Sequence, residues 1–171
     1  MPLLRIVACL LWLLAAAPHY VHAQRSKDPL TAAEEDQVRE VADQPNERVK
    51  LYVKFIEQRT ASIHATVQHP ATQHPGADIH TQLEEYTRLV DELSDNLDAY
   101  ADAHSDARKG LKLLQEHVAK WPQTLQEPGP SPEYDFARKS ALDATASLAD
   151  QSARLQKEQE EYFGKHKQPK P

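Results

Sequence analysis

Thirteen positions from Ile79 to Trp121 recur at alternating steps of four and three without a slip: Ile79, Leu83, Tyr86, Val90, Leu93, Leu97, Tyr100, His104, Ala107, Leu111, Leu114, Val118 and Trp121. Such a spacing, 3.5 residues on average, holds one stripe on one side of an α-helix. A strand would need alternation with period two, and no segment of this chain has it. The stripe predicts a long helix with one buried face and a left-handed supercoil. Capped by Asp78 and unbroken to Trp121, it would be about 65 Å long at a rise of 1.5 Å per residue. The phase runs straight through HSDARKG, which favours continuity. Against it stand Ser105, an available N-cap, and Gly110, since glycine costs about 1 kcal/mol inside a helix.

Two further helical stretches flank this one. Thr31 and Glu34 have the spacing of a capping box and open the first, at 31–44. Pro45 either starts a new helix, at 45–68, or kinks a continuous one. Val49, Tyr52, Val53, Ile56, Thr60, Ile63 and Val67 form its apolar face. EPGPSPE, from Glu127 to Glu133, is a turn. The last helix is expected at 132–163, with its seam on Tyr134, Ala137, Ala141, Ala144, Leu148, Gln151, Leu155 and Tyr162, and Gly164 as C-cap. Residues 165–171 are basic and proline-containing and are expected to be a disordered tail.

Four glycines are few for an α/β enzyme with its glycine turns. The fold class is therefore all-α. Short loops make sequential helices antiparallel neighbours, so the simplest assembly is an elongated up-down-up three-helix bundle, spectrin-like in shape only. The alternative is a compact four-helix bundle with a break near His104.

The N-terminus reads as a cleaved secretory signal over residues 1–23. Arg5 precedes the apolar run Ile6–Ala17, Pro18 breaks it, and Val21 and Ala23 offer small residues for cleavage. The run is too short for a membrane span, which needs about 20 apolar residues. An uncleaved N-terminal anchor is the rival. Domain 24–164 would then be exported, periplasmic or extracellular, with no stable membrane insertion. The only cysteine is Cys9 and the only methionine Met1. After cleavage no disulfide, thiolate metal site, cysteine nucleophile or methionine-ligated haem is open to the chain. A net charge of −6 argues against nucleic acid as a partner.

The stretch QPNERVKLYVKFIEQR, Gln44 to Arg59, resembles a segment of uncharacterised exported helical proteins of bacteria. The resemblance covers that segment alone. It implies secretion and a helical fold, and it brings no activity.

Chemistry-bearing residues concentrate in QHPATQHPGADIH, which holds His69, His74 and His80. Imidazoles suit zinc or copper, and Asp78 or Glu84 would complete such a site. The spacing is not the i,i+4 of a helical metal pair, and proline after His69 and His74 favours an extended connector. His104 on the seam is either a ligand inside a bundle, with His117 or His64, or a core histidine with one hydrogen bond. Glu-x-x-His, HExxH, GxSxG, GxGxxG and the P-loop are all absent, so no spacing typical of catalysis is present. The expectation is a non-enzymatic protein that works through association with a protein partner or a second copy. A metal-binding module on His69, His74 and His80 is the alternative.

Overall fold

A computed structural model describes residues 28–166; the expected signal segment and residues 167–171 lie outside the described residues. The described residues are all-helical. The helices are α1 Ala32–Glu40, α2 Pro45–Gln68, α3 Pro75–Asp102, α4 Arg108–Val118, α5 Trp121–Gln126 and α6 Asp135–Lys165.

The capping box at Thr31 forms: its hydroxyl accepts from Glu34 N–H at 3.3 Å, and its own N–H donates to Glu34 Oε2 at 2.8 Å. The same carboxylate receives both arms of Arg59 on α2, each at 2.7 Å. The local helix signal is thus also the dock of α1 on α2. Burial would raise the Glu34 pKa from 4.5, but the Arg59 and Thr31 hydrogen bonds outweigh it and hold the group at about 2. A depressed carboxylate stabilises the fold above its unfolded pKa. The contribution, about 3 kcal/mol at most, is present above pH 4.5 and is lost as the pH falls towards 2. Urea midpoints at pH 6 and pH 3 should therefore differ more for the wild type than for Glu34→Gln, which lacks this titration. Equal losses in both would show that the pair does not anchor α1.

Pro45 sits in the first turn of a new helix, preceded by a turn at 41–44. The expected inner face of α2 is buried except for Val67, which is partly buried, and Phe55 joins it. Gly164 lies within α6, and His166 caps it.

The continuous helix over 78–121 does not form. The helix begins at Pro75, stops at Asp102 and resumes at Arg108. His104 occupies the left-handed region at φ 48°. Its N–H donates to Ala101 O and that of Ser105 to Tyr100 O, the two bonds of a Schellman motif with histidine where glycine is usual. Two amide side chains brace the break from opposite helices. Asn46 of α2 donates to Asp106 O and accepts from Gly110 N–H. Gln159 of α6 donates to Ser105 O at 2.8 Å and accepts from Ala107 N–H at 2.9 Å. Backbone groups that a continuous helix would pair internally are thus satisfied from outside.

The break reverses the chain, and the helices pack as a bundle. Tyr52–Glu92 and Ser62–Gln82 pair α2 and α3 in opposite directions. Asn46–Gly110 and His64–Glu127 make α2 run parallel to α4 and on towards α5. Tyr86–Thr145 and Ser94–Gln151 make α3 and α6 parallel. Helices α2 and α6 each pack against both α3 and α4. The five residues from Ala103 to Ala107 therefore lead α4 away from α3, to pack between α2 and α6, and these sequential helices are not the close antiparallel neighbours that short loops suggest. α5 lies against α2 and α6 at the opposite end, where Trp121 meets Tyr86 edge-on at 6.3 Å.

Candidate functional site

The seam comes first, because its length was the reason to expect a partner-facing helix. All its residues but His104 are buried within the single chain. Leu83, Leu93, Leu97, Leu111 and Leu114 are 0% exposed. The stripe is therefore used up by the fold and offers no free face.

The His-Pro stretch comes second. It is the α2–α3 connection, with His69 capping the end of α2 and His74 the start of α3. Both are exposed. His80 lies a turn into α3, its Nδ1 donating to Glu133 O at 2.9 Å and its Nε2 lying 3.2 Å from Glu84 Oε1. Asp78, a candidate fourth ligand, accepts from the Thr72 hydroxyl. Among the described residues no group of three or more His, Cys, Asp or Glu side chains is placed to hold a metal ion. The structure does not gather His69, His74 and His80 into one ligand set. Their nearest carboxylates already serve the loop and the first turns of α3. His64 and His117 are likewise paired with carboxylates on other elements, Glu127 and Glu57. Neither reaches His104.

What the fold leaves open lies on α6. Phe136 is the one large hydrophobic side chain left exposed among the described residues, at 82%. The adjacent Ala137 is buried, so Phe136 stands on the outer side of the first turn of α6. Beside it a groove of about 170 Å³ runs between α3 and α6, lined by Glu84, Thr87, Arg88, Phe136, Ala137 and Ser140. Arg88 reaches Glu84 at 3.7 Å, while its Nε is buried without a hydrogen-bond partner. The groove thus combines an aromatic knob, small side chains and a charged pair of both signs, the make-up of a small protein contact.

Perturbed acids elsewhere have structural causes. Burial, then the hydrogen bond and charge of Glu92, push the Tyr52 hydroxyl well above its usual range. Burial alone raises Tyr86, against the Thr145 hydrogen bond. Arg108 lowers Asp106 by hydrogen bonding across a two-residue gap. None of these groups lines the Phe136 groove.

No family model matches the chain, and no curated protein or solved structure is significantly similar to it.

Proposed function

We propose that this is an exported, non-enzymatic helical-bundle protein of the cell envelope. It acts by associating with a protein through the Phe136 face of α3 and α6. The carrying observation is Phe136 itself, held in the open beside a groove while the other large apolar side chains among the described residues are buried or partly buried. The finer architecture that best fits the packing pairs is a compact four-helix bundle of α2, α3, α4 and α6, closed at one end by α5. Burying one phenylalanine gains only about 2–3 kcal/mol. A face of this size supports transient association and not obligate assembly. The signal-like N-terminus supports export, and the lack of a catalytic spacing supports a non-enzymatic role.

A photo-crosslinking residue at position 136 tests the reading against one at Lys157, an exposed position further along the same helix. The expected result is a discrete adduct from position 136 and none from 157. An adduct of twice the chain mass identifies a second copy, and any other discrete mass identifies a different protein. No adduct at 136, or equal adducts at both positions, would remove the proposal.

A further inference from the structure

The end of the bundle away from α5 holds a second opening. Because α3 and α6 run parallel, their C-termini meet there. The carbonyl ends of two helix dipoles therefore point the same way and favour a cation. The last turn of α3 carries no basic residue to offset this. A cleft of about 160 Å³ opens between them, lined in part by Ala101, His104, Glu158, Tyr162 and Phe163. The His104 ring lies flat on Tyr162, with centroids 4.3 Å apart and planes 9° from parallel. Left-handed backbone at a residue other than glycine is sparsely populated and costs about 1–2 kcal/mol. It is what turns this imidazole onto the wall of the cleft.

The polar groups of the cleft are unspent. The Glu158 carboxylate, the His104 ring nitrogens and the Tyr162 hydroxyl have no hydrogen-bond or ion-pair partner among the described residues. Gln159, by contrast, is wholly engaged in bracing the break. The nearest fixed cation is Arg108, whose guanidinium lies over the Phe163 ring at 4.7 Å. It is neutralised by two hydrogen bonds to the Asp106 carboxylate, at 2.9 and 2.7 Å. Lys165 and His166 end the same helix, and the His166 ring also stacks on Tyr162, with centroids 4.5 Å apart and its Nδ1 donating to Tyr162 O at 2.9 Å.

We propose that this cleft binds a primary alkylammonium group. One carboxylate, one imidazole nitrogen and one phenol oxygen match the three N–H donors of –NH₃⁺, and Phe163 and Ala101 receive the start of its alkyl chain. The volume equals roughly five waters at about 30 Å³ each, which suits a short chain.

The test is NMR titration of the full chain with n-butylammonium, read at the His104 and Tyr162 ring resonances. Saturable shifts with a Kd of roughly 1–10 mM are expected for a ligand of so few atoms. Glu158→Gln should weaken binding about tenfold, whereas Glu160→Gln, an exposed neighbour on the same helix, should not change it. Tetramethylammonium, which has charge but no N–H, should bind more weakly than n-butylammonium. Nα-acetyl-lysine amide distinguishes the source: binding as tight as n-butylammonium assigns the site to a lysine side chain of another protein, and weaker binding assigns it to a free amine. Linear, unsaturating shifts to about 100 mM, or equal affinity in Glu158→Gln, would overturn the proposal.

Discussion

Circular dichroism of Leu97→Asp is expected to show loss of the cooperative helical transition, not a folded chain of lower mass. Leu97 is 0% exposed and packs within its own chain. Removing a buried leucine side chain costs about 3–5 kcal/mol through lost transfer energy and residual cavity. Placing a carboxylate in the space adds several more, unless it stays protonated. The sum rivals the roughly 5–15 kcal/mol that holds a domain together. Leu93→Asp, equally buried, should behave alike. Leu97→Met should retain the fold, because volume-conserving apolar swaps cost under about 1.5 kcal/mol. A helical, cooperatively melting Leu97→Asp protein of half the wild-type mass would place the seam between two chains and refute the packing described for α3.

The same residues mark how far the sequence could be read. Its stripe identified the inward side of α3 and α4 almost residue by residue, yet it concealed the break between them. Hydrophobic period records which side of each helix faces the core, and it is silent about direction. The non-helical segment from Ala103 to Ala107 happens to preserve the phase, so the chain turns back with no slip in the pattern. The signals of the turn were polar and local: Ser105, Asp106 and Gly110. Gly110 also has a packing role that no single-helix argument supplies. A Cβ there would lie 2.8 Å from Val49 Cβ, so glycine lets α4 approach α2 closely.

The seam expected for the last helix holds at Tyr134, Ala137, Ala141, Leu148, Gln151 and Leu155 and is off by one residue at two places. Thr145 and Phe163 are buried, whereas Ala144 and Tyr162 are only partly so. At Thr145 the cause is a polar contact with α3. Thr145 pairs with Tyr86 at 2.6 Å, and Gln151 pairs with Ser94 at 2.7 Å and Asp98 at 2.7 Å. Gln151 lies on the expected seam, whereas Thr145 finds its partner 59 positions away, which apolar spacing does not show. The candidate sites were hidden for a related reason. Phe136 announces itself only as an aromatic on the outer side of an amphipathic turn. The cleft at His104 exists only because two C-termini converge.

Gln159→Leu is expected to destabilise the domain by roughly 2–4 kcal/mol while leaving its helix content nearly intact. The side chain is 4% exposed and similar in volume to leucine, so the substitution leaves little cavity. It strands Ala107 N–H and Ser105 O, for each of which Gln159 is the hydrogen-bonding group. A stranded buried polar group costs about 1–3 kcal/mol, and the added apolar surface offsets part of that. The loss should appear first at the break, as faster hydrogen exchange of Ala107 and of the first amides of α4. Gln159→Glu separates the two bonds: its carboxylate still accepts from Ala107 N–H but has no proton for Ser105 O. It should therefore restore protection at Ala107 without restoring the full denaturation midpoint. If Ala107 exchanges at the wild-type rate in Gln159→Leu, the break is held by Asn46 and by helix packing, and the amide on α6 is incidental to the turn.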